Sequence, residues 1–240
     1  MYIKVPIKLA DDSVGEELLP VQLPWDIFDY LLNKCSFQLG DRLVQDFWEH
    51  LENVGDTWAC STREFREAHG GKVWPLGFYG DEAVMAIQNN PMNKILGFTV
   101  NCPLFRPRST RLSRYQVFSI ETDKVVSFKD TIYPVLEEIV KSFNKLTEEG
   151  INGTIFLVSE LRGDQAFFKN LFRHKSWWKA TKVCFRCKAT AEPGPLNYCI
   201  YESNDGWATT VRTTEQFLLE ELPDQDACHF VRAQLPVQIF

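Results

Sequence analysis

Two short segments carry the same acidic corner, Gly80-Asp81-Glu82-Ala83 and Gly163-Asp164-Gln165-Ala166. Each follows an apolar run, 73–79 and 154–161, that reads as a buried strand. A carboxylate at the carboxyl end of a strand sits on the rim of a sheet, where α/β proteins place their chemistry. Two such carboxylates on neighbouring strands, Asp81 and Asp164, could share divalent cations. The plainer reading is that glycine and aspartate are common turn formers and end strands for that reason alone.

A second motif is Cys184-Phe185-Arg186-Cys187. Two thiolates at this spacing span one edge of a zinc tetrahedron, and Cys199, Cys228 and His229 are candidates for the remaining ligands. The same pair also fits two plain buried thiols or a redox couple. Around it lies a basic stretch with no acid between Asp164 and Glu192: Lys169, Arg173, Lys175, Lys179, Lys182, Arg186 and Lys188, with Trp177 and Trp178 among them. Basic side chains neutralise phosphates and aromatic faces stack on exposed bases, which suits distorted or single-stranded DNA ends. A smaller basic cluster, Arg106, Arg108, Arg111 and Arg114, occupies one turn and reads either as a phosphate contact or as a solvated loop. No Gly-rich phosphate loop, nucleophile elbow or His-Glu-x-x-His motif is present, and four scattered histidines offer no triad.

These residues need elements to hold them. Residues 1–70 read as a mostly helical amino-terminal region, with a proline-started helix at 24–32 and a second at 41–53. Gly70-Gly71 breaks the pattern. Strands are expected at 73–81, 94–100 and 115–120. An amphipathic helix at 128–149 follows, carrying Ile132, Val135, Leu136, Ile139, Val140, Phe143 and Leu146 at helical spacing and ended by Gly150. A fourth strand should finish at Asp164, with a helix running to Phe172. The segments divide as 1–70, a core at 71–175, and 176–240 holding the Cys-x-x-Cys insertion.

At 240 residues, 45% hydrophobic and 13% aromatic, the chain can bury a large core, and disorder is excluded. A formal charge of −6 argues against a chain that binds nucleic acid over its whole surface. Seven cysteines, unevenly spread, do not form a disulfide framework, and no stretch is long and apolar enough for a membrane helix. The start of the chain lacks a secretory apolar segment, so the expectation is an intracellular chain with reduced thiols. In that setting Asn152-Gly153-Thr154 is not a glycosylation site, and Arg162-Gly163-Asp164 closes a strand instead of tipping an adhesion loop.

The order strand–strand–strand–helix–strand–helix, the two Gly-Asp corners and the later Cys-x-x-Cys resemble the catalytic core of DDE-type cut-and-paste DNA transposases, including CACTA-like superfamilies. The resemblance covers about residues 72–210. It implies an α/β, ribonuclease-H-like mixed sheet flanked by helices, with the first and fourth strands side by side. It also implies two Mg or Mn ions, Asp81 bridging both and Asp164 binding one, and phosphodiester cleavage and transfer at transposon ends. DNA, a nuclear location and a homo-oligomer follow as implied partners and setting. The family's third acid lies on a later helix, for which Glu215, Glu220 and Glu221 are candidates after a fifth strand at 197–201. The family's insertion usually begins near the Cys-x-x-Cys, which places the third acid beyond residue 240 and makes this a truncated or transposon-derived copy. Two alternatives stand beside it: a non-catalytic transposon-derived protein that binds DNA or protein, and an unrelated α/β domain.

Overall fold

A computed structural model describes residues 1–84, 94–109, 112–172, 181–184, 187–199, 206–211 and 216. The described residues fall into two compact units that divide between Arg162 and Gly163. The sequence pattern alone divides the chain after residues 70 and 175. No described helix is long and apolar enough to cross a membrane.

The first unit opens with an antiparallel hairpin, β1 (Tyr2–Lys8) and β2 (Val14–Pro20), where helix was expected. The physical reason is a two-residue period. Ile3, Val5 and Ile7 are buried, while Tyr2, Lys4 and Lys8 are exposed. The turn is tied by Ser13, whose backbone N–H and hydroxyl both donate to Asp11 Oδ1.

The helices α1 (Pro24–Lys34) and α2 (Asp41–Asn53) lie where the sequence places them, followed by the short α3 (Thr57–Ser61) and α4 (Arg63–Ala68). They are not a separate body. The Trp25 N–H of α1 donates to Ser142 Oγ at 2.8 Å, and the Trp48 indole of α2 donates to the Val73 carbonyl at 2.8 Å.

The core is a mixed four-stranded sheet in the order β5-β4-β3-β6. Its strands are β3 (Val73–Val84), β4 (Lys94–Asn101), β5 (Tyr115–Glu121) and β6 (Ile155–Arg162). The first three form an antiparallel meander, and β6 pairs parallel with β3. The expected adjacency of the first and fourth strands of this sheet is therefore present. A parallel neighbour needs a crossover, supplied by α5 (Tyr133–Glu148) after one π-helical turn, Phe128–Ile132.

The buried stripe of α5 contains Val135, Leu136, Ile139, Val140, Phe143 and Leu146. Phe143 packs edge-on against Phe78 at 5.6 Å, and a row of rings crosses three strands: Phe78 to Phe98 at 5.6 Å, then Phe98 to Phe118 at 6.0 Å. Each such side chain contributes about 1.5–3 kcal/mol by leaving water. Gly150 ends the crossover at φ +64°, and a Cβ there would meet the Thr154 carbonyl oxygen at 2.5 Å.

The second unit contains α6 (Gln165–Phe172) and a small irregular segment. The fifth strand expected at 197–201 is not formed among the described residues. Asn197 makes one isolated bridge to Thr190, and Tyr198 and Cys199 lie in a turn. Residues 200 and 201, and the acids Glu215, Glu220 and Glu221, lie outside the described residues.

Candidate functional site

Strand β3 alternates its side chains between two faces. Phe78 points to the aromatic row, so Gly77, Tyr79 and Asp81 belong to the opposite face. β3 does not end at its Gly-Asp corner as expected. It runs on to Val84, with Asp81 opposite Gly97 and Val84 opposite Lys94. Gly80 stays extended and pairs with Phe98, so nothing turns the chain there. The parallel partner stops sooner, at the pair Tyr79–Arg162. Asp81 thus stands beyond the end of β6 while still inside the β3–β4 ladder.

The Asp81 carboxylate is held locally. The Tyr79 hydroxyl donates to Oδ2, and the Glu82 backbone N–H donates to Oδ1 at 2.8 Å. Glu82 itself points outward and pairs with Lys94 at 3.4 Å. Above the Tyr79 ring lies the Arg114 guanidinium, 5.4 Å from its centroid.

On the same face, Gly77 lies between Asn101 of β4 and Glu160 of β6. A Cβ at Gly77 would come within 2.5 Å of Asn101 Oδ1 and 2.7 Å of Glu160 Oε1. Glu160 pairs with the Arg162 guanidinium through Oε2, while its buried Oε1 has no hydrogen-bond partner among the described residues. Sequence reading missed Tyr79, Asn101, Glu160 and Arg162, and it placed Arg114 in a basic turn without its contact to Tyr79. The available signal was the two-residue spacing of Tyr79 to Asp81 and of Glu160 to Arg162.

Asp164 follows Arg162 by two residues and opens the second unit. β6 ends at Arg162, not at Asp164. The Asp164 Oδ1 accepts the Phe167 N–H at 2.6 Å, and its carbonyl accepts the Phe168 N–H at 3.1 Å. This is the geometry of a helix N-cap. Its Oδ2 accepts no hydrogen bond from a described residue.

Cys184 and Cys187 lie in the second unit between two segments joined by an isolated antiparallel bridge, Lys182 to Thr190. The Val183 N–H donates to the Ala189 carbonyl at 3.2 Å, and the Ala191 N–H to the Thr181 carbonyl at 2.8 Å. Cys184 is half-buried and Cys187 buried. Cys199 is exposed, its N–H donating to Asn197 Oδ1 at 2.9 Å. Among the described residues no three His, Cys, Asp or Glu side chains are grouped to hold a metal ion. Cys228 and His229 lie outside the described residues.

Of the basic stretch, Lys182 and Lys188 are exposed and Lys169 is half-buried. Arg173, Lys175, Trp177, Trp178, Lys179 and Arg186 lie outside the described residues.

Elsewhere in the first unit, a cavity of about 490 Å³ is lined by residues of α2, α4 and the Gly70-Gly71-Lys72 turn. Its chemistry is an internal ion-pair cluster. Glu52 receives Arg63 at 2.6 Å and Arg66 at 2.5 Å, and Arg66 also covers the Trp48 ring at 4.6 Å. Those hydrogen bonds, Arg63's first and then Arg66's, hold the Glu52 carboxyl below the usual range. Burial pushes the Cys102 thiol up to about 11, which leaves it a poor nucleophile.

Comparison with protein-family models, curated proteins and solved structures finds no match for this chain.

Proposed function

We propose that this chain carries a ribonuclease-H-like core of DDE transposase type, acting on DNA in the nucleus through Mg or Mn held at Asp81 and Asp164. The observation that supports it is the parallel pairing of β3 with β6, which sets Tyr79 opposite Arg162 and has an aspartate two residues further along each chain segment. The donor set fits such ions. A carboxylate offers about four lone-pair sites, and Asp81 uses two of them for the Tyr79 hydroxyl and the Glu82 N–H. Asp164 keeps Oδ2 open among the described residues. When bound, such ions activate an attacking oxygen and stabilise the leaving one. The chain's own contribution is orientation: Tyr79 fixes the Asp81 carboxylate, and the N-cap hydrogen bond fixes Asp164. Cys184 and Cys187 are the proposed half of a zinc subsite. Lys169, Lys182 and Lys188 are the described members of the proposed DNA patch.

The test uses the whole chain with Mn²⁺, read by loss of the free-ion paramagnetic resonance signal, and with supercoiled plasmid, read by nicking. Asp81→Asn and Asp164→Asn suit it, because asparagine still accepts the Tyr79 hydroxyl and still caps a helix. The expected result is Mn²⁺ uptake that each variant weakens about tenfold or more. Uptake equal in the parent and both variants overturns the metal site.

A second reading is favoured by the local employment of both acids. Asp164 caps α6, Asp81 is engaged within β3, and no third acid joins either among the described residues. A transposon-derived protein that binds DNA without catalysis would look the same. DNA binding without Mn²⁺ uptake or nicking selects it.

A further inference from the structure

We propose that Arg106 and Arg108, with Arg114 just before β5, form a binding surface for the phosphodiester backbone of nucleic acid, opening onto the sheet face that bears Asp81. The charge distribution of the chain motivates it. Between Glu82 and Glu121 there is no acid, whereas Lys94, Arg106, Arg108, Arg111 and Arg114 are basic, in a chain whose net charge is −6. Lys94 is answered by Glu82. Arg42, Arg63, Arg66 and Arg162 all form ion pairs. Arg106, Arg108 and Arg114 are exposed and form none with the described residues. Among the described residues their charge meets no acid, which is the electrostatic footprint of a polyanion site.

Geometry connects that charge to the sheet. Arg114 immediately precedes β5, whose Tyr115 pairs with Val100 of β4. Its guanidinium nevertheless lies 5.4 Å from the centre of the Tyr79 ring on β3, so the side chain reaches across β4 on the Asp81 face. Tyr79 then donates to Asp81. A guanidinium laid on an aromatic ring keeps its charge and edge donors available for phosphate oxygens. This arginine-bearing segment is anchored by Phe105, which packs edge-on against Phe37 at 4.6 Å and donates its N–H to the Cys102 carbonyl at 3.0 Å. Its arginines therefore project from a fixed base.

Nucleic acid is favoured over a lipid surface because the described residues of this segment form no apolar face. Leu112 is its one large exposed apolar side chain among the described residues. The choice of nucleic acid over an acidic protein rests on the proposed function, through the shared face with Asp81.

The experiment measures binding of the whole chain to a short fluorescein-labelled DNA duplex by anisotropy, between about 50 and 200 mM salt. Arg106→Ser/Arg108→Ser/Arg114→Ser is expected to weaken binding at least tenfold and to flatten the plot of log K against log salt by roughly two to three. Arg106→Ser/Arg108→Ser alone leaves the Arg114–Tyr79 contact in place and should flatten it by roughly two. The corresponding triple lysine variant should keep the parent slope. The proposal is overturned if the serine variants bind as the parent does, or if the lysine variant loses as much as the serine one. It is also overturned if the parent binds phosphatidylserine vesicles or an acidic polypeptide but not DNA. Mn²⁺ uptake by the same proteins separates the two ideas. Arginine-dependent DNA binding without uptake defeats only the metal site, and uptake with unchanged DNA binding in the serine variants defeats only this surface.

Discussion

At the scale of single residues, Gly77 decides how the polar sheet face is built. Its two cross-strand neighbours, Asn101 and Glu160, lean over it so closely that a Cβ would lie 2.5 and 2.7 Å from their side-chain oxygens. Gly77→Ala must displace both, at about 1–3 kcal/mol, the usual cost of forcing atoms into filled space. Thermal unfolding should report a lower Tm for this variant, and Glu160→Ala/Asn101→Ala should restore much of the difference. A Tm unchanged in Gly77→Ala would mean that the two side chains move aside freely. Asp81 and Asp164 were visible in the sequence because their type and spacing repeat. Arg114 was visible only as one charge of a basic cluster; its placement over Tyr79 was not, since that is set by the β3–β4–β5 register and not by any local pattern.

At the scale of elements, the clearest predictions from sequence were the ones written in a single period. The stripe of α5 and the strands β3 to β6 appeared where apolar spacing put them. The β1–β2 hairpin was lost to a helical expectation because its alternation is short, interrupted by Pro6, and met by only Leu19 as a buried residue of β2. β6 shows a subtler failure. Strict alternation would put Glu160 on the same face as Phe156 and Val158. The register instead shifts between Leu76 and Gly77, so that Val158 faces Leu76, Glu160 faces Gly77 and Leu161 faces Phe78. Ser159 is the extra residue, and one bulge moves the carboxylate to the polar side.

The α2–α4 contact is an electrostatic counterpart. Glu52 holds Arg63 and Arg66 together, and its native pKa is depressed. A depressed carboxyl stabilises the fold above its ordinary value, near 4.3, and that contribution disappears as pH falls through the lower native value. Glu52→Gln should therefore cost about 1–3 kcal/mol near neutral pH. Denaturant titrations of parent and variant should converge in strong acid. A gap that persists there would assign the effect to packing instead of charge.

At the scale of the whole molecule, the sheet joins distant parts of the chain. β3, β4 and β5 are successive neighbours, but β3 meets β6 only after the crossover, with Val73 opposite Ile155. During synthesis the meander leaves the ribosome first, and the strand at its inner edge then carries Val73, Trp74, Leu76 and Phe78 with no partner on that side. An unpaired apolar edge of this kind is a template for association between chains. A chain stopped after Glu149 should accumulate as soluble oligomers or inclusion bodies, and sedimentation of the lysate would show it. A monomeric, folded product would mean that the meander protects its own edge. The crossover helix thus has a role in time as well as in space. Until it has brought β6 home, the central strand of the finished sheet is the stickiest surface the nascent chain presents.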